Sequence, residues 1–338
     1  MRAAAFTELT GPDGVSIVER PTPDPGPGEA VVDVEACSIN RHDLWILDGE
    51  SAMVDPSDLP FVTGLDVAGV VQAVGDGVTD LSPGDRVVLC PNQTCGTCRF
   101  CREGPENLCE SFSLYHGGLA ESARVDADRL IPLPDDVSAT TAAALPTAYL
   151  TAYHMLRRAD VSPGDLAFVP GATGGVGVAT VQLADVLGVR TVGTSSSSSK
   201  LDRLARLGAD HTVRGTDPDR LRAAVSEIGT PDAVINHLGG PYTGVGLDLM
   251  RRGGRMVICG RTAGDTSEID IPDLFLGHKH VVGSTMGTQA DLERLVDLVA
   301  AGDLDPVVDE TFPLSATGEA FATMRDRDTL GKLVVTPR

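Results

Sequence analysis

The sequence predicts an α/β protein in two parts, a β-rich first part and then a doubly wound parallel sheet with helices on both faces. Three observations carry this. Extended segments broken by Pro-Gly turns fill residues 1 to about 145, short apolar strands alternate with amphipathic helices from about residue 163, and a glycine-rich turn joins the first of those strands to its helix. At 338 residues the chain is long enough for two domains.

Residues 30–34 and 67–74 read as strands, with turns at 25–28 and 83–84. Ser82-Pro83-Gly84-Asp85 feeds a strand at 86–88, and a similar signal, Ser162-Pro163-Gly164-Asp165, feeds Leu166-Ala167-Phe168-Val169. A helix is expected at 175–187, a strand at 190–193, a helix at 201–207, and strands at 233–235, 255–259 and 281–283. That alternation implies parallel strands with crossover helices. The tail holds a helix at 292–300 and then extended pieces ending at Lys332-Leu333-Val334-Val335. The one low-complexity run is Ser195 to Ser199, for which a flexible linker is the bland reading.

Acidic residues outnumber basic ones by 48 to 27, a net charge of −21, and only Lys200, Lys279 and Lys332 are lysines. A GC-rich genome would give such a composition; the favoured reading is a halophile's carboxylate-rich surface, whose self-repulsion salt screens. The charge excludes nucleic acid as a partner. No apolar run reaches the ~20 residues of a membrane span, and the start lacks a signal peptide's apolar core, so a cytoplasmic protein is expected.

Cys95, Cys98, Cys101 and Cys109 form C-x2-C-x2-C-x7-C. Four thiolates complete a tetrahedral shell with no open position, so one structural zinc per chain is expected. Cys90 lies outside the pattern, and Cys37 and Cys259 read as buried fillers rather than metal ligands.

The run Pro170-Gly171-Ala172-Thr173-Gly174-Gly175-Val176-Gly177 follows a strand and opens a helix, the context of a dinucleotide-binding turn. Its glycines let backbone N–H groups approach a pyrophosphate at the positive end of the helix. No carboxylate ends the next strand. Instead Ser195, Ser196 and, five residues beyond Ser195, Lys200 offer hydroxyls and an ammonium, which suit the 2′-phosphate of NADP(H). Cys259 and Gly260, ending a later strand, are assigned to the same cofactor site.

With Gly64-Leu65-Asp66-Val67-Ala68-Gly69-Val70-Val71, these features resemble the medium-chain dehydrogenase/reductase superfamily of zinc alcohol dehydrogenases and quinone oxidoreductases, over essentially the whole chain. The resemblance implies a GroES-like catalytic domain at 1–148 with a zinc lobe at about 90–112, a Rossmann NADP-binding domain at 149–287, and a return to the catalytic domain at 288–338. It also implies a homodimer or homotetramer acting on a small molecule. At the positions where zinc alcohol dehydrogenases hold a catalytic metal, this chain has Asn40, Leu65-Asp66 and Thr147. Leucine cannot bind a metal, and Asn and Thr are poor zinc ligands, so the catalytic zinc is expected to be missing.

Without a Lewis acid, hydride addition to a quinone or an activated alkene is easier than alcohol oxidation. The stretch Ser38-Ile39-Asn40 with Asp43 and Trp45 resembles the quinone oxidoreductase branch, although that branch commonly lacks the cysteine lobe. By that match Asn40 donates to the substrate oxygen, Trp45 walls the pocket and Thr151 contacts the nicotinamide. His42, Asp66 and Thr147 complete the catalytic candidates, His42 as a proton relay and Asp66 either facing substrate or paired with an arginine. Two rival readings stand beside an NADPH-dependent reductase. One is an alcohol or polyol dehydrogenase with a second zinc recruited by His42, Asp43 or Asp66; the other is a non-catalytic NADPH-binding protein.

Overall fold

Short apolar runs become the strands of a six-stranded, all-parallel sheet in the computed structural model, which describes residues 1–337. Its strands lie in the order His211–Arg214, Arg190–Ser195, Leu166–Val169, Ala233–Asn236, Arg255–Ile258, His280–Gly283. The chain moves outward through the first three and then returns to the other side of Leu166–Val169. The order therefore reverses between Leu166–Val169 and Ala233–Asn236, where ligands bind in doubly wound folds. Leu166 to Val169 are all buried, as a strand covered on both faces requires. This sheet belongs to the compact unit Tyr149–Gly287.

A second unit joins Met1–Ala148 to the segment from Thr288 onward. Its seven-stranded sheet is centred on the ten-residue strand Glu29–Ser38, flanked by Asp66–Val74 on one side and Lys332–Thr336 on the other. The register pairs Ser38 with Asp66 and with Val334. Directly opposed residues share a sheet face, as do residues two apart on one strand. Lys332, Ser38 and Asp66 are thereby brought to one face from three distant parts of the chain. Phe6, Val32, Val67, Leu89 and Phe321 are among the side chains of this unit's core.

The structure departs from the sequence reading in one place and adds to it in two. The serine run takes the ordered alternative to a linker: Ser195 ends a strand, and the Ser197 hydroxyl accepts from the Lys200 N–H to cap the helix Ser198–Arg206. The tail is not extended between its ends, because Thr317, Ala320 and Phe321 recur at helical spacing and bury one side of the helix Thr317–Arg325. The strand His211–Arg214 carries no apolar run in the sequence, and only Val213 in it is buried.

Candidate functional site

In the first unit, Asn40 follows the strand Glu29–Ser38 and begins the helix Arg41–Leu47. Its backbone N–H donates to Asp43 Oδ2 at 2.8 Å, which fixes the chain's exit from the sheet. Its side chain is engaged elsewhere. Asn40 Nδ2 donates to Asp66 Oδ2 at 2.9 Å, and Asn40 Oδ1 accepts from Lys332 Nζ at 2.5 Å. Lys332 Nζ also donates to the Ile39 carbonyl at 2.9 Å and to Asp66 Oδ2 at 3.3 Å. Ser38 Oγ donates to Asp66 Oδ2 at 2.6 Å. Thr147, from the π-helical turn Leu145–Tyr149, donates to Asp66 Oδ1 at 2.5 Å. Such turns recur at functional sites.

Asp66 is 0% exposed and Lys332 3%. Three of the sequence candidates, Asn40, Asp66 and Thr147, thus meet in one polar cluster. Asp66 pairs with a lysine, not an arginine. Ser38 and Lys332 were missed as site residues. The available signal was a lysine heading an apolar strand in a chain with only three.

This donor set does not fit a catalytic zinc. Leu65 is fully buried and offers no lone pair, the remaining atoms are amide, hydroxyl and carboxylate oxygens, and an ammonium already sits on the carboxylate.

His42 lies in the helix Arg41–Leu47 and stacks on His116, with ring centroids 5.6 Å apart. Its Nε2 is buried without a hydrogen-bond partner. A second string of polar groups runs from Asp43: Thr63 Oγ1 donates to Asp43 Oδ1 at 2.5 Å and lies 3.2 Å from His116 Nδ1. The Thr63 hydroxyl has given its only hydrogen to Asp43, so His116 must be the donor in that contact. Burial, followed by the charge of His42, pushes His116 down to about 4, so it is neutral at pH 7. Trp45 is half-buried on the same helix as His42.

In the second unit the glycine turn is shaped by positive φ and close backbone approach. Gly171 has φ +66°, a conformation that favours glycine, and its N–H donates to Thr194 Oγ1 at 3.0 Å. A Cβ on Gly177 would meet Ala172 Cα at 2.6 Å, so helix and turn touch through backbone. Gly174 caps the helix Gly175–Val186 without a side-chain hydrogen bond, leaving its first-turn N–H groups for a ligand. Ala172 N–H is bound to the Thr194 carbonyl, and Thr173 Oγ1 lies 3.1 Å from Ser195 Oγ.

Ser196 is exposed and Lys200 half-buried beyond that strand end. Arg214, not singled out in the sequence, pairs in register with Ser195, is exposed, and donates from Nε to the Ser196 carbonyl at 3.4 Å. Cys259 and Gly260 follow the strand Arg255–Ile258, and a Cβ on Gly260 would strike the His237 carbonyl at 2.2 Å. Desolvation pushes the Cys259 thiol up to about 12. Thr151, on the helix Leu150–Arg158, is buried with its Oγ1 3.9 Å from Met286 Sδ.

The four cysteine sulfurs of the first unit lie within 4.8 Å of one another, with Cys98 and Cys101 at 3.5 Å and Cys95 and Cys101 at 3.9 Å. A tetrahedral Zn–S shell has edges of roughly 3.8 Å. Backbone N–H groups of Cys95, Cys98 and Ser111 already point at Cys109 and Cys95 sulfurs. Hydrogen bonds from Thr97, with help from Cys98, draw Cys95 down to about 6, toward the thiolate a metal requires. The cluster fits a structural zinc. Among the described residues it is the one group of three or more His, Cys, Asp or Glu so arranged. Cys90 is buried apart from it, and its thiol is raised to about 12 by desolvation. No helix among the described residues is long and apolar enough to cross a membrane.

Residues 26–135 match the alcohol dehydrogenase GroES-like domain, and residues 175–301 match the zinc-binding dehydrogenase family. An alcohol dehydrogenase of Moraxella sp. (strain TAE123) is 32% identical over 99% of both chains. An acryloyl-coenzyme A reductase of Metallosphaera sedula is 30% identical over 96% of both. A solved NAD-dependent alcohol dehydrogenase superposes with a TM-score of 0.92 at 35% identity, covering 100% of both chains. With its GroES-like and parallel-sheet units and these full-length relatives, the chain belongs to the medium-chain dehydrogenase/reductase superfamily.

Proposed function

We propose that the protein is an NADPH-dependent reductase of an activated alkene or a quinone, working without a catalytic zinc. The observation that carries this reading is the Asn40–Asp66–Lys332 cluster of hydrogen-bond donors and an ion pair, two of whose members, Asn40 and Asp66, stand where the resemblance puts the family's metal ligands. One of the two Asn40 amide hydrogens is held by Asp66, and the other serves a substrate oxygen. When bound on the glycine turn, the coenzyme supplies the hydride. As negative charge develops on the substrate's carbonyl or quinone oxygen, the Asn40 N–H stabilises it, at a position where water is scarce. Asp66, fully buried and accepting from four groups, holds Asn40 rather than reacting. The acryloyl-CoA reductase relative supports an alkene conjugated to a thioester as the substrate type.

The NADP preference is supported by the absence of a carboxylate at the end of Arg190–Ser195 and by Ser195, Ser196, Lys200 and Arg214 around it. Seven unpaired cysteines suit a reducing compartment, so we place the enzyme in the cytoplasm with a zinc in the cysteine lobe. The edge strand His280–Gly283, with exposed Ile271 and Phe275 on the helix Ile271–Leu276, supports a homo-oligomer.

The test is NADPH consumption with crotonyl- and acryloyl-thioesters, enones and quinones, and NADP+ or NAD+ reduction with alcohols, combined with elemental analysis. Thioester, enone or quinone turnover with one zinc per chain is expected. Efficient alcohol oxidation with two zinc ions per chain would overturn the reading.

A further inference from the structure

We propose that Lys332 is the positioning residue of this site: its ammonium locks the Asn40 amide in one orientation and supplies the positive charge beside Asp66 that a metal ion would otherwise bring. The inference rests on the reading of Asn40 as the substrate-oxygen donor.

An ammonium has three hydrogens and no lone pair, whereas an amide has two hydrogens on one side and an acceptor on the other. All three Lys332 hydrogens are committed, to the Ile39 carbonyl, Asn40 Oδ1 and Asp66 Oδ2. No Lys332 hydrogen remains for a substrate, so the residue acts through Asn40. A flipped Asn40 amide would press NH2 against the ammonium and its oxygen against the Asp66 carboxylate. Both contacts are repulsive, and both leave buried groups unpaired. Lys332 and Asp66 therefore bind opposite ends of the amide and hold it one way, and the second Nδ2–H keeps a fixed direction.

The carboxylate is equally complete. Ser38, Asn40 and Lys332 donate to Oδ2 and Thr147 to Oδ1, about the four hydrogens that a carboxylate accepts. Of the cluster's side-chain groups, Asn40 alone keeps an amide hydrogen without a protein acceptor. The oxygens around Nζ, at 2.5 to 3.3 Å, stand at hydrogen-bond distances. A divalent ion on Asp66 would have to sit against the ammonium, like charge on like in a buried setting. Buried ion pairs seldom add stability over an apolar replacement, so a positioning role accounts for the pair where a stabilising one does not.

Lys332→Met and the paired replacement Asp66→Leu with Lys332→Leu test the assignment in the zinc-loaded full-length enzyme. For Lys332→Met, kcat for an enone or crotonyl-thioester is expected to fall on the order of 100-fold while KM moves less than about threefold. NADPH affinity, read by nucleotide fluorescence, should not move. The paired replacement removes both charges together and so leaves no lone buried charge; where it folds, it should show the same loss of kcat. Wild-type kcat in a folded paired variant would overturn the proposal.

A second readout is independent of turnover. Mn²⁺ titration followed by electron paramagnetic resonance should show no ion taken up by the wild type and one per chain by Lys332→Met. Uptake by the wild type, or none by the variant, would overturn the metal-replacing role. If the wild type binds NADPH but reduces no enone, thioester or quinone, the functional reading falls. The Mn²⁺ titration then still decides whether Lys332 takes the place of a metal.

Discussion

The turn of the 149–287 unit proposed to hold the coenzyme is built from eight consecutive residues, 170–177, and the groups it offers are backbone N–H donors at a helix start. The polar cluster of the other unit draws side chains from positions 38, 40, 66, 147 and 332, nearly the length of the chain. A backbone site tolerates many side chains but fails when a Cβ intrudes. A side-chain site tolerates backbone variation but fails when one donor is lost. The two kinds of failure can be separated by mutation.

The largest effect is expected at Gly177. A side chain there meets Ala172 Cα and C and the Gly171 carbonyl at 2.6 to 2.8 Å, all backbone atoms that cannot step aside. Gly177→Val should cost about 3 kcal/mol in overpacking and weaken NADPH binding roughly a hundredfold, measured by fluorescence titration. Asn40→Ala should do the reverse. Loss of one oxyanion donor lowers kcat by about 10²–10³-fold, with NADPH affinity unchanged. A variant of Asn40 that lost coenzyme affinity as fast as turnover would break the distinction between the two sites.

The same contrast explains what was legible in the sequence. Contiguous signals, the glycine turn and the four-cysteine lobe, can be read directly because spacing along the chain is spacing in the site. The parallel sheet was legible for a related reason, since its central strands Leu166–Val169 and Ala233–Asn236 carry short contiguous apolar runs. Lys332 and Ser38 were not. Their meeting with Asp66 depends on the register Ser38 to Asp66 and Ser38 to Val334, which no local pattern encodes. Arg214 was hidden similarly, on a mostly exposed strand whose pairing with Ser195 is a property of the folded sheet. Thr63 and His116, 53 positions apart, are one more such pair. Family resemblance supplied Asn40, Asp66 and Thr147 as positions, but not the ammonium that ties two of them together.

Each unit also holds one histidine kept neutral by its surroundings, which sharpens the comparison under acid. His116 and His237 both stand at about 4, against 6.5 in an unfolded chain, His116 through burial and its neighbour His42, His237 through burial. Between those values the unfolded chain binds more protons, so each group's contribution is complete above pH 6.5 and declines as pH falls toward 4. From pH 7.5 to 5 each should contribute about 2 kcal/mol of lost stability. His116→Phe and His237→Phe should each flatten the acid limb of urea-unfolding curves by that amount, and an unchanged limb would show that the residue is not held neutral. At pH 7.5 the two should differ. His237→Phe removes a buried Nδ1 that has no partner, whereas His116→Phe takes a donor from Thr63. The first is expected to be neutral or stabilising and the second destabilising by about 1 kcal/mol.

The smallest effect, and the one that reaches furthest into specificity, is expected at Arg214. Its guanidinium is exposed beside the Ser195–Ser196 strand end, with Nε on a backbone carbonyl and the remaining N–H groups of its fork available to an anion. A 2′-phosphate there would gain a charge-assisted contact that a 2′-hydroxyl cannot use. An exposed pair of this kind is worth about 1 kcal/mol. Arg214→Gln should therefore weaken NADPH binding roughly five- to tenfold, leave NADH affinity where it was, and make the NADPH preference less sensitive to salt. Equal weakening of both coenzymes would mean that Arg214 supports the strand end rather than reading the phosphate. Tighter NADH than NADPH binding in the wild type would transfer the serine run itself to a structural role, leaving the glycine turn as the whole of the coenzyme site that the chain encodes locally.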